Sequence, residues 1–159
     1  MGRVIYIFYR NSQGIKMTIK KCEEFSKRIS EVSAEDKALF GKMNVSQMIC
    51  HCTDQIRMSF GEIDGLKIQK ADINEFREMA KRGETVPTVD GLNQVAGFGT
   101  KPKEFDMDKE TLIAYLNKFL VTEEKYKFSF HPYFGVIDKN QWDRLMVYHL
   151  DHHLGQFGR

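Results

Sequence analysis

The chain has 159 residues, of which 42% are hydrophobic and 29% charged, with 24 basic against 22 acidic side chains. A chain of this length and apolar content forms one domain with a core that needs neither disulfides nor a structural metal to fold. The net charge of +2 is too small to indicate nucleic acid or an anionic membrane surface as a partner.

The cysteines and the hydropathy pattern bear on cellular location. Cys22, Cys50 and Cys52 are odd in number and lack the spacing of a disulfide framework. We therefore expect reduced thiols and a cytoplasmic protein. No apolar run approaches the roughly 18 residues that span a bilayer, so no membrane partner is expected.

Residues 1–16 precede the first clear helical pattern and contain a short apolar run at positions 4–9. This run is too short for a signal peptide and lacks a small-residue cleavage site. Two interpretations remain open: a strand or tail docked on the domain, or a mis-assigned start or added extension. The predicted organisation is an N-terminal extension over 1–16 and a single domain over 17–159.

The first two helices are indicated by apolar residues that recur every three or four positions. Thr18 is a suitable N-cap for the first helix. Asn44 begins the second, because Gln47 three residues later completes a capping box, and Gly61 suits its end. The apolar stripes of the two helices comprise Ile19, Cys22, Phe25, Ile29 and Val32, then Val45, Met48, Ile49, Cys52, Ile56 and Phe60.

Residues 61–107 predict a long loop region with one short helix around Ile73, Phe76, Met79 and Ala80. Several glycines and two prolines interrupt the remainder of this stretch. Loops of this length often form lids or pocket walls, although a simple surface excursion fits the pattern equally well.

A third helix is predicted from Asp108, as N-cap, to Val121. After it, residues 128–135 form an extended or turning segment, because Pro132 keeps the preceding residue out of the helical conformation. His131 in this turn is expected to have a packing or hydrogen-bonding role.

The last helix is predicted from Asp138, with Gln141 at the capping-box position, to Phe157. Four main helices without convincing strand pairs predict an all-α fold, a four-helix bundle.

Two histidines lie at the centre of the core-facing stripe of the last helix. At about 100° per residue, His149 and His153 lie within about 40° of each other and flank the direction of Trp142. Burying two imidazoles is costly unless their nitrogens are satisfied, and the i, i+4 spacing lets both reach one metal ion. His152 points to the flank of this helix and is expected to be a neighbouring or surface residue.

His51 is the remaining histidine in a predicted bundle helix, at the edge of its apolar stripe. We expect it to be the third ligand, although a hydrogen-bonded structural role remains an alternative for His51 considered alone. Cys50 and Cys52 do not join it, because three consecutive helical side chains fan over about 200°. Cys52 reads as a core residue and Cys50 as an outward-facing or helix-packing one.

Three neutral imidazoles suit Zn²⁺, Ni²⁺ or Fe²⁺, and three protein ligands leave a coordination position open, which is typical of catalytic sites. The sequence contains no Glu-x-x-His pair of the di-iron bundles and no His-Glu-x-x-His of the zincins.

The segment His149-Leu-Asp-His-His153-Leu-Gly-Gln-Phe-Gly158 resembles the C-terminal signature of the DinB-like superfamily. In particular, it resembles the branch in which His-Pro-x-Phe-Gly and a Trp precede this motif, as His131-Pro-Tyr-Phe-Gly135 and Trp142 do here. Residues 41–51 resemble the second-helix motif that ends in the first metal histidine of that superfamily. The chain departs from many relatives in having Leu154 where they carry Arg.

The resemblance implies a four-helix bundle with crossover connections, a metal bound by His51, His149 and His153, and frequent homodimers. It also implies a small-molecule substrate, because characterised relatives are metal-dependent transferases of low-molecular-weight thiols. Thiol transfer to an electrophile is therefore the leading expectation. Two alternatives remain: a metal-dependent hydrolase, with a base such as Asp54, Asp143 or Glu62, and a non-enzymatic metal- or ligand-binding stress protein.

Overall fold

The computed structural model describes residues 15–64, 74–75, 78–79, 82, 84 and 87–159. Over these residues the chain is helical, and the predicted all-α, bundle-like architecture is confirmed. The N-terminal extension up to residue 14 lies outside the described residues, as does most of the short helix predicted near Phe76. The helices are α1 (Ile19–Ser30), α2 (Val45–Ser59), α3 (Phe105–Val121) and α4 (Lys139–Gly155), with 3-10 turns at Asp90–Leu92 and Gln94–Ala96.

Three helix starts lie where the sequence predicts them. The Thr18 hydroxyl accepts from the backbone N–H of Lys21 at the start of α1. Helices α2 and α4 begin with complete capping boxes, formed by Asn44 with Gln47 and by Asp138 with the glutamine three residues later. Each cap satisfies backbone N–H groups that lack a partner within the helix, and depends only on residues three apart.

The predicted start of α3 is wrong. The helix begins at Phe105, with Glu104 as N-cap, and Asp108 lies inside its first turn. The Glu104 carboxylate accepts from the backbone N–H of Met107 at 2.8 Å, while Asp108 accepts from that of Lys103. Glutamate is not among the preferred N-cap residues, so the sequence pattern favoured the aspartate.

Helix α4 ends at Gly155, two residues before the predicted Phe157. The chain turns back at Gly158, which has φ +72°, and the N–H of Arg159 donates to the carbonyl of Leu154. Gln156 is therefore the C-cap residue, which places its side chain beside the last turn of the helix.

The four helices pack in pairs that are not neighbours in the sequence order of each half. Helices α1 and α2 each pack against both α3 and α4, whereas in the described chain no close approach joins α1 to α2 or α3 to α4. Helices α1 and α2 therefore lie diagonally opposite each other in the bundle, and so do α3 and α4. This arrangement sets α2 beside α4, the two helices that carry the three candidate metal ligands.

The interior is a continuous apolar core with a large aromatic component. Phe25, Phe119 and Trp142 are completely buried, and Phe128 packs against both Phe119 and Trp142 at ring-centroid distances of 5.5 and 6.3 Å. Burial of each such ring stabilises the fold by about 1.5–3 kcal/mol relative to exposure. None of the described helices is long and apolar enough to cross a bilayer.

Candidate metal centre

Three histidine rings meet between α2 and α4. His51 lies in the second turn of α2, and His149 and His153 lie one turn apart near the end of α4. Their exposed fractions are only 5%, 9% and 8%, respectively. The sequence placed His51 at the edge of the apolar stripe of α2. In the structure this edge is buried, because α4 packs against that side of α2.

The distances between the rings are short. The centroid of His51 lies 4.8 Å from that of His149 and 4.6 Å from that of His153, and the latter two are 4.4 Å apart. The Nε2 atoms of His51 and His149 are separated by 3.0 Å. The predicted convergence of these three rings is thus confirmed.

One potential ligand atom from each ring lies within 4.8 Å of the others. Two bonds of about 2.1 Å that meet at a tetrahedral angle place their nitrogens about 3.4 Å apart, so a pair at the 4.8 Å limit would close by about 1.4 Å around a shared ion. In the described part of the chain, the cluster that could hold a metal ion consists of these three histidines and includes no carboxylate.

Hydrogen bonds fix the tautomers of two of the rings. The Nδ1–H of His51 donates to the backbone carbonyl of Leu92 at 2.9 Å, and the Nδ1–H of His153 donates to Oε1 of Gln156 at 2.7 Å. Both acceptors are oxygens, so the proton resides on Nδ1 and the lone pair on Nε2. Outer hydrogen bonds of this kind orient the histidines of protein metal sites.

His149 differs from the other two rings. Among the described residues its buried Nδ1 has no hydrogen-bond partner. If Nε2 carries the proton and donates to His51, Nδ1 is a buried acceptor without a donor. If Nδ1 carries the proton, the lone pairs of two Nε2 atoms face each other at 3.0 Å. Either arrangement is unfavourable in the protein alone, and a cation shared by the lone pairs would relieve the second.

Burial keeps all three rings neutral. Desolvation lowers the pKa of His51 from 6.5 to about 4, the hydrogen bond to Leu92 opposing part of this change. The pKa values of His149 and His153 are held well below the usual range, first by desolvation and then by the neighbouring histidines. Metal binding requires the unprotonated ring, so the site is prepared for a cation at neutral pH.

The segment that carries the Leu92 carbonyl is fastened to α2. Buried Asp54 accepts from the backbone N–H and the hydroxyl of Thr100 at 2.7 and 2.6 Å. The side chain of Gln94 donates to the Thr100 carbonyl at 2.8 Å. Part of the region predicted as a long loop therefore forms one wall of the site.

The carboxylates considered as hydrolytic bases are engaged elsewhere. Asp54 binds Thr100, as described above, and Asp143 accepts from Lys139 at 2.7 Å. Glu62 accepts from Lys118 at 2.7 Å and from the Tyr115 hydroxyl. None of the three belongs to the metal-capable cluster.

The other described histidines and the two cysteines of α2 lie outside the metal-capable cluster. Cys50 and Cys52 are both buried, so the helix-packing alternative for Cys50 agrees with the structure and the outward-facing one does not. Buried His131 accepts from the N–H of Tyr133, and its ring packs against Trp142. His152 is half-buried, with its ring 5.8 Å from that of Phe40.

No role was predicted from the sequence for two groups that contact the site, the side chain of Gln156 and the carbonyl of Leu92. Gln156 stood inside the C-terminal motif, and its position three residues after His153 places it on the same side of the helix end, a signal that could have identified it. The Leu92 carbonyl belongs to the backbone and has no side-chain signature.

The donor set fits a divalent transition metal. Three neutral imidazoles provide nitrogen ligands and leave further coordination positions free, the arrangement found in catalytic rather than structural sites.

Comparison with known proteins identifies a family. No curated protein and no solved structure matches this chain. Residues 12–159 match the family described as "Protein of unknown function (DUF1569)". The match spans all four helices and the three clustered histidines, so the chain belongs to the DUF1569 family.

Proposed function

We propose that this protein binds one divalent transition metal ion through His51, His149 and His153 and uses it to transfer a low-molecular-weight thiol to an electrophile. The observation that carries the proposal is the convergence of three buried, neutral rings, two of which have hydrogen bonds that leave Nε2 unprotonated. We place the chain within the DinB-like superfamily on the motifs that it resembles, and the proposed reaction class follows from that placement.

A bound ion would act as a Lewis acid that lowers the pKa of a coordinated thiol. The protein's own part is to orient the rings through Leu92 and Gln156 and to exclude bulk water by burying them. In the transfer, the sulfur forms a bond to the electrophilic carbon, a leaving group such as chloride departs with its electron pair, and the thiol proton passes to solvent.

The pKa values of the two nucleophiles, together with the absence of a carboxylate from the described cluster, favour thiol transfer over hydrolysis. A bound ion has to lower the pKa of a free thiol only from about 8.5 to give a thiolate at neutral pH, whereas it has to lower that of water from about 15.7 to about 7. A thiol therefore needs little help from a protein base, and no carboxylate joins the described cluster. Asp54, Asp143 and Glu62 each have another hydrogen-bond partner, which makes them poor candidates for activating water.

Metal binding is tested first. Elemental analysis after loading with Zn²⁺, Ni²⁺ or Fe²⁺ and dialysis should give one ion per chain. Single replacement of His51, His149 or His153 by Ala should weaken binding by more than the roughly 10–100-fold typical of losing an outer hydrogen bond. His152→Ala is the matched control, a neighbouring histidine on α4 outside the cluster, and should retain the metal. Equal metal content in all variants would refute the site.

Turnover is tested with the loaded protein. Bacillithiol, mycothiol and glutathione are each combined with a chlorinated aromatic or an epoxide, and thioether formation is followed by mass spectrometry. Product formation should depend on the metal and disappear in His149→Ala. A protein that binds metal but turns over no pair would refute the transferase and leave a metal-binding protein.

A further inference from the structure

Gln156 lies beside the metal centre at the C-terminal end of α4. Its side chain is buried, and its Oε1 lies 2.7 Å from Nδ1 of His153. An amide oxygen can only accept, so His153 donates and keeps the lone pair on Nε2. The bond therefore determines both the orientation of the ring and the nitrogen that faces the other two histidines.

The glutamine is itself held by the segment between α1 and α2. Its backbone carbonyl accepts from the N–H of Leu39 at 2.7 Å. Its amide nitrogen lies against Gly41, where a Cβ would stand only 2.4 Å from Nε2. Gly41 also has φ +88°, a conformation that L side chains rarely adopt. A glycine at this position leaves the space that the amide group occupies.

We propose that Gln156 is a positioning residue for the metal ligand His153, and that Gly41 leaves the space in which its amide group accepts the hydrogen bond from Nδ1–H of His153. This inference rests on the proposed metal site. Partners of this kind make a ligating ring more basic and reduce its freedom to rotate, and their loss typically lowers metal affinity about 10–100-fold.

The test separates the acceptor from the bulk of the side chain. Gln156→Met retains length and packing but removes the acceptor, whereas Gln156→Glu retains an acceptor. Co²⁺ affinity is measured by chelator competition, and the visible spectrum of bound Co²⁺ reports ligand geometry. We expect Gln156→Met to bind about 10–100-fold more weakly with an altered spectrum. Gln156→Glu should bind at least as tightly as the unmodified protein, because a carboxylate accepts a stronger hydrogen bond.

A second pair of variants acts on the amide group from a distance. Gly41→Ala should displace the Gln156 side chain and weaken Co²⁺ binding. Gly61→Ala is the matched control, since its φ of +73° imposes similar backbone strain while the nearest contact of its Cβ would be an ordinary 3.6 Å. This pair also decides the matter if Gln156→Met fails to fold.

The outcomes are distinct. If the unmodified protein does not bind Co²⁺, the proposed function fails at its first step. If it binds and Gln156→Met binds equally well, only the positioning role is overturned. Gln156→Glu binding as weakly as Gln156→Met would overturn it too, as would equal affinities for Gly41→Ala and Gly61→Ala.

Discussion

Burial lowers the pKa of the histidines that line the interior of this protein, and the hydrogen bonds of each ring decide what it can do. At the candidate metal centre, His51 and His153 donate from Nδ1 and leave the lone pair on Nε2. His131 instead uses Nδ1 to accept from the N–H of Tyr133, and stays outside the cluster. The same residue type therefore has a candidate ligand role in one place and a structural role in another.

His131 provides a pH test of burial at a site that is not a ligand. Desolvation lowers its pKa from 6.5 to about 3, so the unfolded chain takes up a proton that the folded chain excludes. The contribution of this ring to the free energy of unfolding is fully present above about pH 6.5, and it decreases as the pH falls from there towards 3. Between pH 7 and pH 5 one such ring contributes a loss of about 2 kcal/mol.

We therefore expect His131→Asn to lose about 2 kcal/mol less than the unmodified protein over this interval. Urea unfolding at pH 7 and pH 5, in EDTA to exclude metal effects, measures the difference. His152→Asn is the control, and should change the slope less because its ring is only half-buried. An unchanged pH slope in His131→Asn would show that the ring is not desolvated.

At the scale of elements, the segment with the two 3-10 turns connects a network of hydrogen bonds to the candidate metal centre. Asp54 on α2 and Gln94 both bind Thr100, and the same segment supplies the Leu92 carbonyl to His51. Asp54 bears a buried carboxyl whose pKa is raised by desolvation, although its bonds to Thr100 oppose that change. Its role in the structure is to fasten this segment to the helix.

Two glycines in this segment allow a matched test. A Cβ at Gly99 would lie 2.7 Å from Nε2 of Gln94 and 2.8 Å from Oδ2 of Asp54, whereas at Gly97 it would meet only Lys101 Nζ at 3.7 Å. Their φ values of +77° and +87° make the backbone strain similar. Gly99→Ala should therefore destabilise by about 1–3 kcal/mol more than Gly97→Ala, through loss of bonds to Thr100.

The extra loss should be visible in urea unfolding of the metal-free proteins. Gly99→Ala should also bind metal more weakly than Gly97→Ala, because displacement of the segment moves the carbonyl that orients His51. Equal stability of the two variants would show that the Asp54 network contributes nothing to holding the segment.

Across the whole molecule, the apolar core predicts that the fold does not depend on the ion. The core runs continuously through all four helices and includes completely buried Phe25, Phe119 and Trp142. We expect a cooperative thermal transition to persist in EDTA. A bound metal at about 1,000 times its dissociation constant should add about 4 kcal/mol, as for any ligand that binds only the folded state.

Thermal unfolding with EDTA and with Zn²⁺ checks this expectation. His51→Ala should retain the EDTA transition and lose most of the gain from Zn²⁺, since only the binding site is altered. Loss of helical structure in EDTA alone would instead assign the ion a structural role, as in domains that fold only with metal.

The sequence by itself determined the all-α class, three of the four helix starts and the pairing of His149 with His153. These features depend on residues within one turn of each other, where capping and periodicity are decided locally. The start of α3 was misassigned because Glu104 caps the helix in place of a residue type with stronger local preference.

Only the tertiary structure decided which groups complete the site. His51 and His149 are 98 residues apart, and His51 and Leu92 are 41 apart, so their meeting depends on how α2 packs against α4 and against the 3-10 segment. The sequence pattern ranked His51 as the third ligand, but its burial and its backbone acceptor come from that packing. Contacts between distant segments are set by the shapes of packed surfaces, which no local pattern encodes.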